Sequence, residues 1–180
     1  MRRIDDLIDE IQRIGFSCRR CGACCTGDGA GSDLVLLSPA EVRAACNAAA
    51  LPRDEVAEPY PESIDGPDGT SCTFGWSYRR QEGHCRFLDG TRCTIYDARS
   101  WICRTYPFML DGDRLCVSEC PGLGAPMTRD EAAVLACDLL ARQAAEREEE
   151  DGVGQVYACS RIPPGASVVI DSEGVWTVHG

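Results

Sequence analysis

Between residues 18 and 25 the chain reads CRRCGACC, four thiols in eight residues, with Cys25 directly after Cys24. Neighbouring Cα atoms stand about 3.8 Å apart, shorter than the span a disulfide ordinarily bridges. The chain has thirteen cysteines, an odd number, so at least one thiol stays outside any set of pairwise bridges. At 180 residues it is also long enough to bury a core without staples. Sulfur at this density is therefore expected to serve metal binding or redox chemistry in a compartment that keeps thiols reduced.

Charge and composition remove several other classes. The net charge of -11 repels nucleic acid and anionic lipid, and the pairs Arg19-Arg20 and Arg79-Arg80 are too short to reverse that. The basic residues are all arginine, which excludes a lysine Schiff base and the usual phosphate-loop lysine. With only His84 and His179, little material exists for a histidine-based triad, and no catalytic residue is assigned. The opening MRRIDDLIDEIQRIGF alternates acids with apolar residues, unlike a secretory leader, and no apolar run is long enough to span a membrane. A cytoplasmic location is expected, with no membrane and no nucleic acid as partner.

Periodicity and turn signals outline the elements. Ile4, Leu7, Ile8, Ile11 and Ile14 recur at helical spacing and Gly15 follows as a stop. The glycine-rich run from Cys18 to Gly31 is expected to be a loop. Leu34 to Leu37 is read as a short strand, and Ser38, Pro39 and Glu41 cap a helix reaching about Ala50. Leu51 to Thr73 lacks a sustained period and is expected to be an irregular loop, strand-like only toward TFGWSYR. Asp89-Gly90 marks a hairpin. Thr128 and Glu131 start a second capped helix whose acidic end is expected to fray. Ser167 to Val178 is read as a hairpin with Gly174 in its turn. The expected fold is α+β: one small irregular domain over 1–180, with about three helices and short β-hairpins. A cysteine-cluster core at 16–122 precedes a helix-plus-hairpin extension at 123–180. Metal is expected to stand in for much of the hydrophobic core.

Nine cysteines fall into three sets: Cys18, Cys21, Cys24 and Cys25; Cys85, Cys93 and Cys103; Cys116 and Cys120. Nine thiols suit two four-coordinate sites with one to spare. Cys18, Cys21 and Cys24 keep the C-x2-C-x2-C spacing of ferredoxin [4Fe-4S] ligands, and Cys116 to Pro121 repeats the C-x3-C-P ending. Zinc competes for the same thiolates, because C-x2-C is also its usual half-site. Diverging side chains at Cys24 and Cys25 would let them serve or bridge two centres. Arg99 and Arg104 bracket Cys103, either pairing with surface acids or directing donors at the sulfurs of a bound cofactor. His84 beside Cys85 is a weaker candidate ligand, read first as solvent-facing. Trp76, Trp101, Tyr96, Tyr106 and Phe108 are expected to form an apolar shell. Cys46 and Cys137 are read as small core residues; Cys72 and Cys159 have no clear partner. The favoured cofactor is an iron-sulfur cluster, [4Fe-4S] before zinc. The expected role is electron transfer or support of a partner enzyme, with a zinc-binding structural or interaction module without catalysis as the alternative.

FSCRRCGACC, followed by CRFLDGTRCTIYDARSWICRTYPF and then CPG, resembles the CxxCxxCC (YkgJ-type) cysteine-cluster family of zinc- or iron-chelating proteins. The resemblance runs from Phe16 to Gly122. It implies that Cys18, Cys21, Cys24, Cys25, Cys85, Cys93 and Cys103 are the family cysteines, accompanied by Tyr96, Arg99, Arg104 and Pro107. Ser100 departs from the family pattern, which has proline after the arginine.

Overall fold

A computed structural model of the chain describes residues 3–26 and 34–178. In chain order the elements begin with α1 (Ile4–Ile14), α2 (Ala23–Thr26), β1 (Leu36–Leu37), α3 (Pro39–Ala49), α4 (Arg53–Val56), β2 (Ala57–Pro59), β3 (Ser63–Asp65), β4 (Ser71–Phe74) and β5 (Trp76–Tyr78). They continue with β6 (Arg80–Gln81), β7 (His84–Cys85), β8 (Leu88–Asp89), β9 (Arg92–Cys93), a 3-10 turn (Tyr96–Ala98), α5 (Trp101–Thr105), β10 (Phe108–Asp111) and β11 (Arg114–Val117). The last are α6 (Arg129–Cys159), β12 (Ser167–Asp171) and β13 (Gly174–Thr177). This is the α+β class expected from the sequence. None of the helices is long and apolar enough to cross a membrane among the described residues. The last part of the expected Cys18 to Gly31 loop, 27–31, lies outside the described residues.

The chain forms two compact units, Met1–Asp33 with Phe87–Ala144, and Leu34–Arg86 with Ala145–Gly180. In the first, α1 buries Leu7, Ile8 and Ile11 with Phe108 of β10 and with Ala132, Leu135, Ala136 and Leu139 of α6. Helical spacing puts these residues on one face of each helix. Arg129 joins the start of α6 to Asp5 (3.0 Å) and Asp9 of α1. This core contains no cysteine, so apolar packing holds the two helices where metal was expected to do so. Thr128 and Glu131 form the reciprocal cap read from the sequence: the Glu131 amide donates to Thr128 Oγ1 (3.2 Å) and the Thr128 amide to Glu131 Oε2 (2.8 Å).

In the second unit β12 lies between β13, antiparallel, and β4, parallel, with β3 at the edge beyond β4. A second sheet has the order β1-β5-β2. The core here is Cys72, Val168 and Ile170, with Phe74, Val153, Val156 and Ile162 against it. The fully buried carboxylate of Asp171 accepts hydrogen bonds from Trp76 Nε1 (2.8 Å) and from the amides of Glu173 (2.9 Å) and Gly174 (3.0 Å). Trp76, read as part of the cysteine shell, is thus committed to this carboxylate.

Three expectations fail for identifiable reasons. Leu51 to Thr73 holds α4, β2, β3 and the start of β4; elements of three or four residues are too short to show a period. The acidic end of α6 does not fray, and within it Glu149 accepts from the Ser172 amide (3.0 Å) and hydroxyl (2.6 Å). Cys137 is exposed and Cys46 only half-buried. The buried stripe of α6 passes through Ala132, Leu135, Ala136 and Leu139, leaving Cys137 one residue, about 100°, off it.

Candidate metal centre

Two close backbone approaches place the cysteine-rich segment of the first unit. Phe16 packs edge-on against Phe108 with ring centroids 5.8 Å apart and bridges to Leu123. The Ser17 amide then donates to Gly122 O (3.0 Å), and a Cβ on Gly122 would overlap the Ser17 carbonyl. The segment entering Cys18 therefore runs beside the one leaving Cys120. Further on, Gly22 has φ +77°, and a Cβ there would stand 3.1 Å from Leu88 Cδ1 and 3.2 Å from Thr91 Cα. The segment thus lies on the β8–β9 hairpin, the one expected at Asp89-Gly90, whose last residue is Cys93. Instead of continuing as loop, the chain winds into α2, with the Cys25 amide donating to Gly22 O (2.8 Å).

That turn carries the adjacent pair. Cys24 Sγ and Cys25 Sγ are 3.9 Å apart, so the two side chains do not diverge. The Cys24 pKa is lowered to about 6: the Cys25 thiol hydrogen bond is the main cause, its own amide and the Arg99 charge add to it, and burial opposes them. Burial raises Cys93, against the Ile95 amide and Arg99. Burial also raises Cys120, against an N–H···Sγ bond from Gly122 (3.4 Å), while Cys21, Cys24 and Cys18 push it up further. Tyr106 rises too, through burial and then the charges of Cys120, Cys24 and Cys21, and its hydroxyl donates to Glu119 O (2.6 Å). Cys18, Cys21, Cys24, Cys25, Cys93 and Cys120 therefore share one neighbourhood. The first three are exposed and the others half-buried.

The other candidates are placed differently. Cys103 sits on α5, and Cys116 on β11 opposite Met109. Cys85 belongs to the second unit, on β7 opposite Arg80, with His84 exposed beside it. Arg99 is held by two carbonyls, donating from Nε to Tyr96 O (2.8 Å) and from Nη1 to Cys103 O (3.3 Å). Arg104 instead forms a salt bridge to both carboxylate oxygens of Asp138 (2.9 and 3.1 Å) and lies over Trp101. Sequence reasoning passed over Gly22 and Gly122. Their roles rest on residues distant in the chain, and the only local signal was the placement of Gly22 inside the cysteine motif.

The CxxCxxCC family model, described as a putative zinc- or iron-chelating domain, matches residues 17–130. This chain belongs to the CxxCxxCC family. No curated protein and no solved structure matched it. The residues of this CxxCxxCC protein fit a soft metal in kind and number. Ligands 2.3 Å from a tetrahedral ion stand about 3.8 Å apart, close to the separation of the adjacent sulfurs. The amides directed at Cys93 and Cys120 favour thiolate and offset part of the burial that raises both thiols. Among the described residues no three His, Cys, Asp or Glu side chains already close around an ion; in thiolate sites binding itself commonly completes the coordination.

Proposed function

We propose that this CxxCxxCC protein chelates a single tetrahedrally coordinated ion, zinc or iron, in its first unit. Cys24 and Cys25 supply two thiolates, and two more come from Cys18, Cys21, Cys93 and Cys120. The observation that carries this reading is the 3.9 Å separation of the adjacent sulfurs on one helical turn. It suits two ligands of one ion better than two ligands of separate centres. With zinc, the protein serves as a structural or interaction module.

A second reading has its own support. The spacing of Cys18, Cys21 and Cys24 and the Cys120-Pro121 ending match [4Fe-4S] ligation, which would suit electron transfer or support of a partner enzyme. Purification without oxygen, followed by zinc, iron and acid-labile sulfide analysis of one sample, separates the two. The single-ion reading expects about one zinc or iron per chain and no labile sulfide. Brown protein with sulfide and about four irons per site would replace it with the cluster. Protein that retains no metal when reconstituted with either would reject both.

A further inference from the structure

Tyr96 sits under two arginines from different parts of the first unit. The Arg99 guanidinium lies 3.6 Å from the ring centroid and the Arg20 guanidinium 4.4 Å. Arg20 stands between Cys18 and Cys21 at φ +52°, while Arg99 is bonded to the carbonyls of Tyr96 and Cys103. Through one ring, the segment carrying the first cysteine set is joined to the segment carrying Cys93 and Cys103. A cation on an aromatic face needs no metal and no ionised thiol.

We infer that Tyr96 is a positioning residue: its ring, gripped by Arg20 and Arg99, holds the two cysteine-bearing segments together before any metal binds. The inference goes beyond metal chelation, and its deciding exchange test uses reduced, metal-free protein, so it stands or falls independently of which ion the site takes. Two amides report on the segments: Cys25, bonded to Gly22 O (2.8 Å), and Arg104, bonded to Ser100 O (2.9 Å). Each exposed cation–π contact corresponds to about a two- to five-fold change in local opening. Arg20→Gln is expected to speed exchange at the Cys25 amide by about that factor and leave Arg104 unchanged. Tyr96→Leu should speed both, at Cys25 by about the same two- to five-fold because only its contact with Arg20 crosses between the segments, while Tyr96→Phe, which keeps the ring face, should exchange like the parent protein. The same order should appear in the rate at which a chelator strips Cd²⁺ from the loaded protein. Unchanged Cys25 exchange in Arg20→Gln, or Tyr96→Phe behaving like Tyr96→Leu, would overturn the inference. Should Tyr96→Leu not fold, the Arg20→Gln and Tyr96→Phe arms still decide it.

Discussion

Gly22 stands where a side chain has neither the backbone conformation nor the room, at φ +77° and against Leu88 and Thr91. Gly22→Ala is expected to cost roughly 1–3 kcal/mol, read by urea unfolding of the metal-free protein, and to lower bound metal per chain. Cys24 offers a second test. Its folded pKa of about 6 lies below the unfolded value of about 8.5. The thiolate therefore stabilises the fold fully above the unfolded value, and that contribution disappears as pH falls through about 6. Alkylation of Cys24 in metal-free protein should accelerate with a midpoint near pH 6, and Cys25→Ala, which removes the main donor, should move that midpoint up. At this scale the cysteines were legible because their chemistry is intrinsic. Gly122 and Arg20 were not, because what makes them matter is Ser17 across a backbone contact and Tyr96 across a loop.

Caps and hairpins carried their own signals to the elements. Ser38 accepts from the Glu41 amide (3.3 Å) while Glu41 accepts from the Ser38 amide (2.9 Å), and Thr128 repeats the arrangement on α6. Ser38→Ala and Thr128→Ala should each destabilise by about 1 kcal/mol, measurable as a shifted urea midpoint. The sequence could be read to α1, α3, the start of α6, β8–β9 and β12–β13, where period or turn chemistry is local. It could not be read to α4, a single helical turn, or to β2 and β3, which exist through pairing with partners such as Tyr78 and Cys72. Cys137 shows the limit of a helical wheel: an apolar neighbour such as Val134 does not mark the buried face when Val134 is itself 65% exposed. Cys137→Ser is accordingly expected to be nearly neutral, whereas Cys72→Ser in the second core should cost about 1–3 kcal/mol.

For the whole molecule, metal and apolar cores contribute separately. Metal held at a thousandfold excess over its dissociation constant adds about 4 kcal/mol. For a chain of this size that corresponds to a melting-temperature drop of roughly 8–16 °C on chelation, with a cooperative transition still present because the α1–α6 core contains no cysteine. A fragment of 17–130, the span of the family match, lacks Leu7, Ile8, Ile11, Ala132, Leu135 and Leu139 of that core; it should give no cooperative transition by circular dichroism. The ion pair from Asp5 to Arg129 has a further consequence in time. During synthesis at about 5–20 residues per second, the roughly 100 residues between Thr26 and Arg129 take about 5–20 s to appear. For that interval the first four thiols are already outside the ribosome while the helix that closes their unit does not yet exist. A nascent chain in this state meets its metal or an oxidant before it has a folded surface with which to choose between them.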